Sequence, residues 1–336
     1  MELLKRGDRG YAVESLQRKL QLLEHVLPAD GILGPDTETL IRQFQQENQL
    51  HPDGVLGSRT WEVLLEKAYA FPPLPVDWDR PLSNNRYLPQ VHDKRAIYLH
   101  HTAGRYNPEG VRNWWNEDPA RVATAFIVGR RHDTGGDTAF DGKSLRVFDE
   151  KHWAYHLGLK TANQELLNAS SIGIELCNLG PLERKGGGFV KIWRDDRGKV
   201  LQELDIPGHE VCILDKPWRG HAFFHAYTSA QLAECERLVL SLAKLFHIPL
   251  SDLPYSADWF DINPEALNGK PGLWTHANVR NDKTDCYPDP GLVDMLNGLH
   301  EKSLDFEVET SRSAIEAPFP KEPLDELRYY FEPLAE

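Results

Sequence analysis

The sequence predicts an α/β domain, built as a central mixed sheet flanked by helices, behind a small all-α three-helix N-terminal domain. Three observations predict it: a repeated glycine turn near the N-terminus, a proline-dense stretch after it, and strand-like and helix-like segments that interleave thereafter. A chain of 336 residues has room for both units. Its 40% hydrophobic residues and 9 Trp supply a core and exclude wholesale disorder. The resulting division is 1–68 for the helical unit, 69–92 for a linker, 93–300 for the α/β domain and 301–336 for an acidic tail.

In the first unit, Asp30-Gly31-Ile32-Leu33-Gly34-Pro35-Asp36-Thr37 recurs 23 residues on as Asp53-Gly54-Val55-Leu56-Gly57-Ser58-Arg59-Thr60. Each copy reads as a turn whose glycines permit positive φ, followed by a helix start. Pro35 and Asp36 suit a helical first turn. Val13, Leu16, Gln17 and Leu20, then Leu40, Ile41, Phe44 and Gln45, follow helical spacing. These elements, with Gly7-x-x-Gly10 and Thr60-Trp61, resemble the three-helix peptidoglycan-binding domain of cell-wall hydrolases over residues 1–66. The resemblance implies that Asp30, Gly31, Asp53 and Gly54 contact the wall polymer. A helical adaptor without a ligand is the alternative.

Pro72, Pro73, Pro75, Pro81 and Pro89 make residues 71–90 extended and semi-rigid, hence a linker. Beyond it, Arg95 to His100, Thr124 to Gly129 and Ser171 to Cys177 read as strands. Thr228 to His247 is the clearest helix. Thr228 and Gln231 form a capping box, and Leu232, Cys235, Leu238, Val239, Leu242, Leu245 and Phe246 form its apolar stripe. Gly186 to Trp218 reads as an insertion carrying a hairpin that turns at Asp195-Asp196-Arg197-Gly198.

Charge narrows the partners. With 38 Lys+Arg against 51 Asp+Glu, the net of −13 repels phosphate and argues against general binding of nucleic acid or anionic lipid. The tail contributes ten acids and four bases, a net of −6, so it is a candidate for docking or inhibition. No stretch reaches the length of an apolar membrane span. The N-terminus has no apolar core of a Sec-type signal, so synthesis in the cytoplasm is expected, with later export or release by lysis. Cys177, Cys212, Cys235 and Cys286 form no CxxC pair and no disulfide framework.

Three positions put polar groups where a strand face or loop would not ordinarily hold them. His100 ends the first strand. Glu175 lies mid-strand, on the face of Gly173 and Cys177 and opposite Ile172, Ile174 and Leu176, which suggests an open cleft. The third is the loop from His276 through Lys283 to Asp285 and Cys286. Two imidazoles and a carboxylate with one position left for water compose a Zn²⁺ hydrolase site.

The motifs Leu99-His100-His101-Thr102-Ala103-Gly104, Ala154-Tyr155-His156-Leu157-Gly158, Ser171-Ile172-Gly173-Ile174-Glu175-Leu176, Tyr227-Thr228-x-x-Gln231 and His276…Lys283-x-Asp285 occur in order. Over residues 95–296 they resemble the type 2 N-acetylmuramoyl-L-alanine amidases, which share a fold with peptidoglycan recognition proteins. The resemblance implies Zn²⁺ held by His100, His276 and Asp285, with Glu175 as general base and Lys283 at the oxyanion. It also implies a substrate groove lined by His156, Trp153 and Tyr155. The bond cut would join N-acetylmuramic acid to L-alanine of the stem peptide.

Alternatives stand beside this reading. His101 could replace His100, although strand alternation separates their faces. Cys286 or Asp289 could replace Asp285, although the Lys-x-ligand spacing selects Asp285. Thr124 stands where some relatives have Tyr. His152/His156 and His221/His225 have helical metal-site spacing, but Gly158 argues against a helix at the first pair and no carboxylate motif accompanies the second. A Cys–His hydrolase through Cys177 or Cys286 lacks its own acid–base set. Two roles fit the chemistry, an interbacterial effector with a cognate immunity protein or a phage endolysin; the rival from another class is a non-catalytic binder of peptidoglycan on the same fold.

Overall fold

Three helices build the N-terminal unit: α1 (Tyr11–Leu22), α2 (Pro35–Glu47) and α3 (Ser58–Ala68). Val13, Leu16 and Leu20 of α1, Ile41 and Phe44 of α2, and Trp61, Leu64 and Leu65 of α3 are buried, as their helical spacing requires. This is a computed structural model, and it describes residues 1–250, 257–299 and 301–302. From residue 303 onward the expected acidic tail lies outside the described residues.

The sequence repeat is a repeated lock. Gln17 Oε1 accepts from the Gly31 N–H at 2.8 Å, while Gln17 Nε2 donates to Asp30 Oδ1 at 2.8 Å. Asp30 Oδ1 also accepts from the Ile32 N–H. One repeat later, Gln45 holds Gly54 and Asp53 in the same way at 2.9 Å each, and Asp53 Oδ1 accepts from the Val55 N–H. Gly31 and Gly54 have φ of +69° and +72°, so both turns need a residue tolerant of left-handed backbone. The four residues expected at the wall polymer thus also close the turns that start α2 and α3.

The proline-rich stretch is a strap rather than a free spacer. Within it, β1 (Trp78–Asp79) runs parallel to β4 (Ser144–Arg146) as the edge of the large sheet. The Leu74 N–H donates to Glu150 Oε1, Lys151 Nζ donates to Phe71 O, and Arg237 donates to Pro75 O. Proline restricts the backbone to extended shapes, and these side chains tie that extended chain down.

The helical unit is itself fastened to the α/β domain. Lys19 is buried with its Nζ 3.2 Å from Asp93 Oδ1, and it donates to Lys94 O and Phe246 O at 2.9 Å each. Asp93 also accepts from Ser15 Oγ and Arg95 Nε, both at 2.8 Å, and Arg95 reaches Glu2 at 2.9 Å. Burial would push the Asp93 carboxyl up, but the Lys19 and Arg95 charges outweigh it and hold it below the usual carboxylate range. The Tyr69 ring meets Phe246 edge-on at 4.7 Å.

The large sheet has the strand order β1-β4-β3-β5-β2-β11, formed by β2 (Ala96–His101), β3 (Phe126–Val128), β5 (Ser171–Leu176) and β11 (Gly272–Thr275) with the two strands above. Only β3 and β4 pair antiparallel, so the sheet is mixed, as expected. Strands β2, β3, β5 and β11 are buried along their whole length, which suits parallel strands covered by helices. Helix α4 (Pro108–Glu117) packs on β3 and β4, and a short α5 (Gln164–Ala169) leads into β5.

The insertion is larger than the sequence suggested. It holds an antiparallel sheet of β6 (Glu183–Lys185), β7 (Gly188–Arg194) and β8 (Val200–Ile206), followed by the hairpin β9 (Val211–Trp218) and β10 (His221–His225). The expected turn joins β7 to β8, where Asp195 Oδ1 accepts from the Arg197 and Lys199 N–H groups. Helix α6 (Ser229–Phe246) crosses β2, β3 and β5. Thr228 caps it through the Gln231 N–H at 3.1 Å. The capping box is half formed, because Gln231 Nε2 instead bonds Val128 O and Cys177 O inside the core. A short helix, α7 (Pro264–Leu267), precedes β11.

Candidate metal centre

The polar residues converge where β2, β5 and β11 end, the carboxyl edge at which parallel sheets ordinarily bind ligands. Register sets the first pair: His100 on β2 stands directly beside Glu175 on β5. Thr275 of β11 pairs with Leu99, so His276 leaves that strand just beyond His100. A 3-10 turn at His276–Asn278 reverses the chain there. Asn278 Oδ1 secures it by accepting from the Thr275 N–H and hydroxyl. The Ala277 N–H then donates to Asp285 O at 3.0 Å, which brings the loop back.

Three atoms result in one cluster. His100 Nδ1 and His276 Nδ1 are 3.1 Å apart, and Asp285 Oδ2 lies 3.3 Å from the first and 2.9 Å from the second. All three residues are buried. Two imidazole nitrogens and a carboxylate oxygen suit Zn²⁺. Their spacing approaches the roughly 3.3 Å between ligands of a tetrahedral ion with bonds of about 2.0–2.1 Å. Burial pushes the His100 imidazole down to about 4 against the pull of Asp285, so it is neutral and able to ligate near pH 7. Burial works against the Asp285 carboxylate, but His276 and His100 outweigh it and hold it well below its usual range.

Glu175 is 8% exposed. Burial raises its carboxyl well above the ordinary value, the Asp285 charge adds to the rise, and the Lys283 charge opposes it. A buried carboxyl raised in this way beside a candidate metal cluster is a candidate for proton transfer. The small neighbours of Glu175 do not open a cleft, contrary to expectation. A Cβ on Gly173 would lie 2.6 Å from Thr124 Cγ2 and 3.2 Å from His156 Nδ1, so those side chains already fill the space. Cys177 is wholly buried.

The alternative ligands point elsewhere. His101 faces the other side of β2, with Nδ1 2.8 Å from the Tyr227 hydroxyl. Asp289 accepts from the Tyr287 hydroxyl and the Leu292 N–H. Cys286 is a buried thiol whose partner is Tyr227. Thr124 donates its hydroxyl to Phe126 O. His221 and His225 lie on a strand rather than a helix.

His156 stands behind the cluster instead of along a groove. It is buried, with Nδ1 2.9 Å from His100 Nε2 and Nε2 2.9 Å from Ser171 Oγ. Trp153 is packed inside and pairs through its backbone with Leu88, while the half-buried Tyr155 rests edge-on against its ring at 5.5 Å.

Sequence reasoning missed Arg219, at the tip of the β9–β10 hairpin. Its guanidinium donates to the carbonyls of Arg280 (2.6 Å), Ala277 (2.9 Å) and Lys283, so it clamps the loop that carries His276, Lys283 and Asp285. The one sequence trace of this role is the turn dipeptide Arg219-Gly220, which marks a tip but not its target. Asn168 and Ser171, which brace the segment at His156, left no signal.

The N-acetylmuramoyl-L-alanine amidase family model matches residues 90–291, and the peptidoglycan binding domain model matches residues 9–64. An uncharacterised protein from the bpoA1 3′ region of Kitasatospora aureofaciens is 39% identical over 64 residues, which are 18% of this chain and 54% of that protein. Among solved structures, a fused Zn-dependent amidase/peptidase/peptidoglycan-binding domain-containing protein from Clostridium acetobutylicum is 33% identical, over 19% of this chain and 28% of its own, with a TM-score of 0.19. PlyL is 13% identical, over 67% of this chain and 97% of its own, with a TM-score of 0.36. The chain spans about half the length of the curated relative, at 54%.

Proposed function

The chain belongs to the N-acetylmuramoyl-L-alanine amidase family, and from that premise we propose that it hydrolyses the amide between the lactyl group of N-acetylmuramic acid and L-alanine in peptidoglycan. The observation that carries this reading is the His100–His276–Asp285 cluster at the strand ends, with Glu175 in register beside His100.

His100 Nδ1, His276 Nδ1 and Asp285 Oδ2 would hold Zn²⁺. Bound there, the ion would polarise the scissile carbonyl and acidify water to a pKa of about 7. Glu175 takes the proton from the attacking water and delivers it to the departing L-alanine nitrogen. Lys283, whose charge reaches both Glu175 and His100, offsets the negative charge on the carbonyl oxygen. Water thus adds across the amide, leaving a lactyl carboxylate and a free amine.

Residues 1–68 would hold the same polymer and raise the local substrate concentration. Because Lys19 and Asp93 fix this unit to the catalytic domain, it would present the glycan strand in one orientation. No helix among the described residues is long and apolar enough to cross a membrane. An interbacterial effector with an immunity protein and a phage endolysin would both use this chemistry, and neighbouring genes would separate them.

The test is digestion of purified sacculi by the full chain, followed by an assay for new L-alanine amino termini. Release that persists in EDTA, or in Glu175→Ala, rejects the mechanism. Binding to sacculi without release favours the non-catalytic alternative.

A further inference from the structure

Both histidines of the cluster are held from behind by adjacent residues of one segment, and the hydrogen bonds there have a forced direction. Ser171 Oγ lies 2.7 Å from Leu167 O, which can only accept, so the one hydroxyl hydrogen is committed to it. Toward His156 Nε2, at 2.9 Å, the Ser171 oxygen can then only accept. The His156 proton is therefore on Nε2, and its Nδ1 carries a lone pair. That lone pair is 2.9 Å from His100 Nε2, so His100 must be protonated on Nε2. His100 Nδ1 is left with its lone pair facing His276 and Asp285.

The second arm is shorter. His276 Nε2 lies 2.9 Å from Leu157 O, an acceptor, so Nε2 carries a proton, while Nδ1 lies 2.9 Å from Asp285 Oδ2 in the cluster. His156 and Leu157 are held in turn by Asn168. Its Oδ1 accepts from both backbone N–H groups at 2.7 and 3.0 Å, and its Nδ2 donates to Gln164 O. Each hydrogen of the Ser171–His156–His100 arm therefore has an assigned position.

We propose that His156 is a positioning residue: through the chain Leu167–Ser171–His156–His100 it fixes the tautomer and ring orientation of His100, so that Nδ1 is the ligating atom. This rests on the zinc reading above. Partners behind metal-bound histidines are commonly carboxylates or backbone carbonyls. A neutral imidazole here orients His100 without adding a negative charge beside Asp285 and Glu175. The substrate-lining role expected for His156 is replaced by this one.

The direct test is long-range ¹⁵N–¹H spectroscopy of the imidazoles in the full-length, metal-free protein. His100 and His156 are expected as Nε2–H tautomers. An Nδ1–H tautomer at His156 or His100 overturns the proposal without any variant. Zinc affinity, measured by chelator competition, is the second readout. Ser171→Ala and His156→Leu are expected to weaken it about 10–100-fold. His156→Asn, whose Oδ1 can take the acceptor position of Nδ1, is expected to recover most of the loss. Wild-type affinity in His156→Leu overturns the proposal, as does equal weakening in the Asn and Leu variants when both melt like the wild type. Failure of the wild type to bind Zn²⁺ rejects the metal reading instead, and the tautomers still decide the relay.

Discussion

His100 and Glu175 are register partners on adjacent parallel strands, so one backbone ladder sets the distance between a metal-cluster imidazole and the buried carboxylate beside it. A ladder is stiffer than a loop, and the Glu175 carboxylate therefore keeps its place whether or not an ion is bound. Glu175→Gln should consequently separate chemistry from binding. Turnover is expected to fall about 10²–10⁴-fold, with Zn²⁺ stoichiometry by elemental analysis unchanged. Parallel loss of zinc would assign Glu175 to the ligand set.

Lys283 lowers the Glu175 carboxyl against the larger rise caused by burial. In the proposed mechanism Glu175 must be ionised to act as a base, so its pKa would set an acid limb in kcat/KM. Removing the Lys283 charge raises that pKa, and Lys283→Met is expected to move the limb to higher pH as well as to slow the reaction. The measurement is the pH profile of both proteins. A limb that stays in place or moves down contradicts the assignment.

Asp93 holds two buried cations at the junction of the helical unit and the α/β domain. Asp93→Asn leaves Lys19 without its counter-charge, and breaking such a pair costs about 3–5 kcal/mol. The folded-state carboxyl is depressed, so its stabilisation is complete above the unfolded value of about 3.9. It is lost as pH falls through the lowered folded value. Urea unfolding of the wild type should therefore weaken more between neutral and strongly acidic pH than that of Asp93→Asn. Because the contact is buried, both units are expected to unfold together in one transition.

Arg219 spans three carbonyls of the loop that carries His276, Lys283 and Asp285. Arg219→Ala is expected to weaken zinc binding and turnover together by about tenfold, consistent with hydrogen bonds to a charged donor worth about 1.5–3 kcal/mol. Added guanidinium should restore part of both, whereas Arg219→Lys should not, because an ammonium lacks the planar fork. Unchanged affinity in Arg219→Ala would mean that the loop holds its shape unaided.

The sequence alone carried everything local in period. Helical spacing at Val13, Leu16 and Leu20 and the 23-residue repeat marked the three-helix unit. Period-two alternation separated the face of Glu175 from that of Ile174, and the family motifs named His100, His276 and Asp285. Such signals survive because a strand or a short loop repeats its geometry wherever it occurs. The tertiary structure decided the remainder. Asp285, rather than Cys286 or Asp289, meets the two imidazoles because the turn at His276–Asn278 brings that one side chain back. His156 went behind His100 because Gly173 and Asn168 make room and hold it there. The proline stretch became a strap, and the helical unit was fixed, through Glu150, Lys19 and Asp93. Arg219 found its loop about sixty residues away, where its Nη1 donates to the Arg280 carbonyl. Contacts of that range depend on where separate elements pack, and no local spacing in the chain encodes them.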